Sequence, residues 1–262
     1  MTVVGVTGAT GAMGRTVLDA AVDRDDTAVT FAVNRDPGDD ERVAGHAVHD
    51  AAALPELLAE HGPEVVVDFT GPASAVEYAG ACAEAGVGFV TGTTGFDEAD
   101  HTALREAAGS IPVLRASNFS RGIGALREAL AEVVAALPEY DIELTETHHR
   151  RKRDAPSGTA TTLLDDIDAA RGERDEETAR RTHGREGEQP REDGEIGVHV
   201  RRAGGVRGEH EVLLAGNDEL LTLAHRAESR GVFAAGALDA AGWLAGRAPG
   251  RYAFADVIEG RS

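Results

Sequence analysis

The densest chemistry in this sequence lies in one stretch, Glu146-Thr147-His148-His149-Arg150-Arg151-Lys152-Arg153-Asp154-Ala155-Pro156-Ser157-Gly158-Thr159-Ala160. It sets paired imidazoles beside a run of cations, in a chain whose 46 Asp and Glu outnumber 26 Lys and Arg. Lys152 is the single lysine, and every other Lys or Arg position is arginine. A guanidinium keeps its proton in a protein, whereas an ammonium can be brought to release one. Like charge from the three flanking arginines favours that release and makes Lys152 a candidate proton donor. A strand continuing through His149 would aim the two imidazoles at opposite sides and give them different jobs. Pro156 followed by Ser157-Gly158-Thr159 reads as a helix start, whose free N–H groups and hydroxyls can hold a carboxylate. Together these residues describe a pocket for a small polyanion beside a proton donor. Plainer readings exist. Arg150 to Arg153 could be a solvated charge run or a nucleic-acid patch, although no stacking aromatics accompany it. The histidines could ligate a metal, but no third-ligand spacing supports one, and none is expected.

A second constellation opens the chain. Gly8-Ala9-Thr10-Gly11-Ala12-Met13-Gly14 separates an apolar strand, Thr2 to Thr7, from a helical pattern running to about Asp23. Glycines there permit a tight turn and bring backbone N–H groups and a helix N-terminus onto a pyrophosphate. The spacing departs from G-x-G-x-x-G because Thr10 replaces the middle glycine, so a purely structural turn is the alternative. The next strand, Thr27 to Asn34, ends in Asn34-Arg35 with no acid at its tip. A guanidinium there suits a 2′-phosphate, so the expected cofactor is NADPH or NADH with NADPH favoured, Asp36 weighing the other way. Gly92-Thr93-Thr94-Gly95 and Ala116-Ser117-Asn118-Phe119-Ser120 follow two further strand ends. Ligands of open parallel sheets bind outside such ends, so the three turns are expected to line one cleft.

These residues need a scaffold. Strand-like runs at 65–70, 87–91 and 111–115 alternate with helical stretches at 73–85 and 97–108, which indicates a parallel sheet with right-handed crossovers. Beyond Phe119 the rhythm changes. A long amphipathic helix (124–137), a strand (140–148), a helix (157–170), and strands at 196–202, 209–215 and 220–226 are expected. Gly216-Asn217-Asp218 reads as the hairpin turn between the last two strands. Gly172 to Glu195 is so charged that it reads as a loop, and 231–244 returns to helix. The 262 residues, 42% hydrophobic, suffice for one large or two moderate domains. A formal charge of -20 makes nucleic acid and anionic membrane poor partners. It also suits high salt. The one cysteine, Cys82, allows no intrachain disulfide. No apolar run approaches the roughly 20 residues of a membrane helix, and no basic stretch precedes the opening strand, so a cytoplasmic protein is expected.

The chain resembles the dihydrodipicolinate reductase family of lysine and diaminopimelate biosynthesis. The likeness rests on the Gly8 to Gly14 turn, Asp68-Phe69-Thr70, Gly92-Thr93-Thr94-Gly95 and Asn118-Phe119-Ser120. Arg202-Ala203-Gly204, Gly208-Glu209-His210 and above all the string from Glu146 to Ala160 complete it. The resemblance implies NAD(P)H-dependent reduction of 4-hydroxy-tetrahydrodipicolinate to tetrahydrodipicolinate with loss of water. It makes His148 the acid/base group and Lys152 the proton donor, and it gives His149, Gly158 and Thr159 to the dicarboxylate substrate. Nucleotide contacts fall on Gly8, Ala9, Thr10, Gly11, Ala12, Met13, Asn34, Arg35, Gly92, Thr93, Thr94, Ala116, Ser117, Asn118 and Phe119. Ala12 stands where many relatives carry arginine, and Asn34 where some carry an acid. The implied fold is α/β: a Rossmann-like parallel-sheet domain (1–119 with 229–262) plus a C-terminal α+β domain with a mixed sheet. The latter (120–228) binds substrate and assembles a homotetramer. Other chemistries fit less well. A short-chain dehydrogenase needs Tyr-x-x-x-Lys, but His148 stands four residues before the only lysine. Cys82, mid-helix, suits packing rather than thioester catalysis.

Overall fold

The structure, a computed structural model, describes residues 1–172, 180–216 and 218–260. The chain opens with β1 (Thr2–Thr7), α1 (Ala12–Val22), β2 (Thr27–Asn34), β3 (Arg42–Val43) and β4 (His46–Asp50). Next come α2 (Leu54–His61), β5 (Val65–Asp68), α3 (Pro72–Ala85), β6 (Gly88–Thr91), α4 (Glu98–Ala107) and β7 (Pro112–Arg115). A second group comprises α5 (Arg121–Ala136), β8 (Asp141–His148), α6 (Gly158–Arg171), β9 (Arg181–His183), β10 (Ile196–Arg202), β11 (Glu209–Ala215) and β12 (Leu220–Arg226). α7 (Gly231–Leu244), β13 (Gly250–Tyr252) and α8 (Phe254–Glu259) end the described chain. Two compact units result, Met1–Arg121 with Arg230–Ser262, and Gly122–Ser229.

The first unit is an eight-stranded sheet in the order β13-β7-β6-β5-β1-β2-β4-β3, parallel except for the β3–β4 pair. Val65, Val66 and Val67 of β5 are fully buried, as a strand covered on both faces requires. One face packs Val17 and Leu18 of α1 with Ala237, Leu238 and Val257 from the C-terminal helices. The other packs Leu57 of α2, Tyr78 of α3 and Leu104 of α4. From β1 the chain winds outward through β2, then crosses back to β5 on β1's other side. That reversal leaves a crevice beyond the carboxyl ends of β1, β2 and β5.

The second unit is a five-stranded mixed sheet, β12-β11-β8-β10-β9. Ile142, Leu144, Val198 and Val212 face α5 and α6 and form its core with Leu130, Leu163 and Ile167. β8 runs parallel to β10 and antiparallel to β11, with Glu146 opposite Val200 and His210. Glu146, His148 and His210 therefore share the inward face.

The charged segment from Gly172 to Glu195 is not entirely loop. Residues 173–179 lie outside the described residues, but Arg181–His183 forms β9, an edge strand parallel to β10. Thr182 is buried there and donates to Glu195 Oε2 at 3.1 Å. A three-residue strand with one inward side chain carries too little alternation to read beforehand. β3, β4, α2, β13 and α8 likewise lacked a legible pattern. Asn217 lies outside the described residues, while Gly216 N donates to Glu219 O at 3.0 Å to close the turn.

Candidate active site

In the first unit a cavity of about 430 Å³ lies at the sheet reversal. Gly8, Thr10 and Gly11 after β1, Asn34 to Asp36 after β2, Phe69 to Gly71 after β5, and Tyr78 line it. Gly8 adopts φ +70°, and a Cβ there would lie 2.7 Å from Phe69 O. At Gly14 a Cβ would lie 2.1 Å from Gly8 O, so α1 can start this close to the turn only without a side chain. Gly11 caps α1 without a side-chain hydrogen bond, and no acid occupies the first turn. The helix thus presents its N–H groups and positive dipole end to the cavity edge, as a pyrophosphate requires. Arg35 and Asp36 both line the cavity, so a cation and an anion both border the place where a ribose would lie. These residues fit a dinucleotide.

The turns after β1, β5 and β6 are tied to one buried carboxylate. Asp68 has no exposed surface and accepts from Thr7 (2.7 Å), Thr70 (2.6 Å), Thr91 (2.7 Å) and Thr93 (2.8 Å) hydroxyls. Thr93 Oγ1 also accepts from Thr70 N at 3.1 Å. Each loop therefore leaves its strand through a hydroxyl pinned to the same group.

In the second unit β8 delivers Glu146 and His148 on one face, and the chain leaves the strand after His148. His149 lies outside the strand, so strand alternation does not set its direction. Glu146 is fully buried. Its Oε2 pairs with His148 Nδ1, and its Oε1 accepts from Ser157 N (3.1 Å) and Arg202 Nη2 (2.8 Å). Burial pushes the Glu146 carboxyl up, but the bonds from His148 and Arg202 outweigh it and hold the group at about 2. His210 packs edge-on to His148 at 5.2 Å between ring centroids, with Nε2 3.2 Å from Ser157 Oγ. Burial, followed by the charge of His148, brings His210 down to about 4. Lys152 Nζ pairs with Asp154 Oδ1 at 2.9 Å, so its nearest charge is a carboxylate rather than the flanking guanidiniums. Ser157 caps α6, its Oγ accepting from Ala160 N at 3.2 Å, and Gly158 and Thr159 form the first turn.

The expected nucleotide residues divide into groups. Gly8, Thr10, Gly11, Asn34 and Arg35 line the cavity. Gly92 leaves β6 with its N–H donated to Asp68 O at 2.9 Å, Thr93 joins the Asp68 network, and Thr94 is exposed. Ala9 is buried with its N–H donated to Val33 O at 3.1 Å, and Met13 packs on the core beside exposed Ala12. Ala116, N–H bonded to Thr91 O at 3.1 Å, and exposed Ser117 continue from β7. Asn118 Oδ1 accepts from Ser120 N at 2.7 Å. Phe119 is core: its ring packs edge-on to Phe69 (5.8 Å) and Phe254 (5.3 Å), leaving only backbone to offer a ligand.

Pattern reading gave no role to Asp68, Glu146, Arg202 or His210. The i, i+2 spacing of Glu146 and His148 on one strand was the available signal. Glu146, His148 and His210 offer metal-type donors within 4.8 Å of one another. N–H donors already occupy the carboxylate, however, and one of them is a guanidinium that repels a divalent cation. Cys82 is fully buried, and burial pushes its thiol up, which removes it from thiolate chemistry.

Known proteins resemble this chain along its whole length. Family models described as "Dihydrodipicolinate reductase, N-terminus" and "Dihydrodipicolinate reductase, C-terminus" match residues 2–119 and 122–258. A 4-hydroxy-tetrahydrodipicolinate reductase of Haloarcula marismortui is 54% identical, covering 99% of this chain and all of its own. One from Natronomonas pharaonis is also 54% identical, covering 97% of this chain and 98% of its own. The dipicolinate-bound dihydrodipicolinate reductase of Paenisporosarcina sp. TG-14 has the same fold: TM-score 0.76, 24% identity, 97% of each chain covered. With matches over both units and more than half its residues shared with relatives along its length, the chain belongs to the dihydrodipicolinate reductase family.

Proposed function

We infer that this chain, as a member of that family, is a 4-hydroxy-tetrahydrodipicolinate reductase acting in lysine biosynthesis with NAD(P)H. The substrate loses water, gains a hydride and a proton, and becomes tetrahydrodipicolinate. The observation that carries the assignment of roles is the buried Glu146–His148 pair, close in sequence to the sole lysine and to the head of α6.

Gly8 to Met13, Asn34, Arg35, Gly92 to Thr94 and Ala116 to Phe119 hold the dinucleotide, with Ala9 and Phe119 contributing backbone only. Bound there, reduced nicotinamide supplies the hydride. His148 is the acid/base group; with Nδ1 committed to Glu146, its Nε2 exchanges the proton. His149, Gly158 and Thr159 take the carboxylates, the last two at the positive N-terminal end of α6. Hydride addition to a conjugated imine leaves negative charge. The Lys152 ammonium stabilises that charge and then delivers the proton that quenches it.

Arg35 beside the ribose position supports a preference for NADPH, which kcat/KM measured with each cofactor tests. Assembly is assigned to a homotetramer in the cytoplasm. Among the described residues no helix is long and apolar enough to cross a membrane, and exposed Leu220 on the edge strand β12 offers an apolar contact for another subunit. The central test follows NADPH oxidation with enzymatically generated 4-hydroxy-tetrahydrodipicolinate. Lys152→Arg is expected to bind cofactor normally and to lose about 100-fold or more in kcat, because a guanidinium holds its proton. Near-normal turnover would remove Lys152 from the mechanism.

A further inference from the structure

We propose that Glu146 is a positioning residue that registers the proton-transferring imidazole of His148 against the carboxylate cradle at the head of α6. The inference rests on the role given to His148 above. One buried carboxylate reaches both: Oε2 pairs with His148 Nδ1, and Oε1 accepts from Ser157 N at 3.1 Å. Ser157 immediately precedes Gly158 and Thr159 and caps the helix that carries them, so the carboxylate cannot move without moving both partners. Arg202 holds it in place, donating to Oε1 at 2.8 Å and to Asp154 O at 2.6 Å. The second of these bonds reaches the segment in which Asp154 pairs with Lys152. Acid/base group, cradle and proton donor thus hang from one ion pair.

The surroundings leave His148 a single working nitrogen. Nδ1 belongs to Glu146, while Nε2 faces Gly208, where a Cβ would stand 3.1 Å away. Among the described residues, Glu146 on its own strand, Arg202 on β10 and His210 on β11 are charged or titratable groups facing His148. Lys152 and His225 act on His210 from further off. Neutral at working pH, His210 does not compete for the Glu146 charge.

Glu146→Gln keeps the volume and removes the charge. Its kcat is expected to fall about 100-fold while KM for NAD(P)H stays within about two-fold, and the alkaline limb of its pH profile moves towards acid. In a His148→Gln background the same change is expected to cost much less in kcat, its remaining effect falling on KM for the dicarboxylate through Ser157 and α6. Equal losses in both backgrounds would mark a merely structural role and overturn the proposal, as would near-normal kcat in the single variant. Should Glu146→Gln yield little folded protein, Glu146→Asp enters the same cycle. It keeps the charge but is one methylene short, and an additive loss again overturns the proposal. A wild type without substrate-dependent NAD(P)H oxidation overturns the functional reading itself, which is a different result from an active wild type with an additive cycle.

Discussion

His210 is the residue whose burial has the plainest thermodynamic consequence. An imidazole held near 4 in the folded chain and near its ordinary 6.5 when unfolded binds its proton more readily after unfolding. Its neutral form is therefore fully compatible with the fold above about 6.5, and stability is lost as pH falls from there towards 4. The full effect is about 3 kcal/mol. Glu146 adds a lower window. Held at about 2 against an ordinary 4.5, it stabilises above 4.5 and loses that contribution as pH falls towards 2. Chemical denaturation of wild type at pH 7 and pH 5 is expected to show the first loss, and His210→Gln to flatten it. An equal pH slope in both proteins would show that some other group carries the acid sensitivity.

At the scale of elements, the cavity assigned to the dinucleotide depends on how closely α1 and three strand-end turns approach one another. Gly14→Ala puts a methyl group onto Gly8 O, and overpacking of this kind costs about 1–3 kcal/mol. We expect weaker NAD(P)H binding by fluorescence titration, while the Glu146–His148 geometry, in the other unit, stays intact. Asp68→Asn sets an amide N–H₂ against hydroxyls that now donate to a carboxylate. The cost is about 1–3 kcal/mol, and KM for NAD(P)H should rise with little change in KM for the other substrate. A kcat loss with unaltered cofactor KM would contradict this account of Asp68.

Over the whole molecule the charge of -20 governs the response to salt. Carboxylates at that density repel one another in the compact state, and salt screens them over about 8–10 Å at physiological ionic strength. Thermal midpoint is therefore expected to rise steeply with KCl, and arginine-for-acid substitutions on exposed α2 or α4 positions should reduce that slope. A salt-independent midpoint would mean that repulsion among the excess carboxylates does not limit stability.

Much of this protein is written along the chain. Alternating short apolar runs and helical stretches specify the parallel sheet, because burial on both faces forces unbroken Val65-Val66-Val67, and the Gly8 to Gly14 turn marks the nucleotide end. The lone lysine beside paired histidines marks the segment to which catalysis is assigned above, since proton transfer constrains residue type within a few positions. Short polar elements such as β9 carry no such signature, because tertiary pairing and not local pattern holds them. The folded chain alone brings Arg202 and His210 to Glu146 across 56 and 64 positions of sequence, and the Thr7, Thr91 and Thr93 hydroxyls from two other strand ends to Asp68. Hydrogen-bond networks of this kind form between strands, at distances set by sheet register, and no linear spacing encodes them.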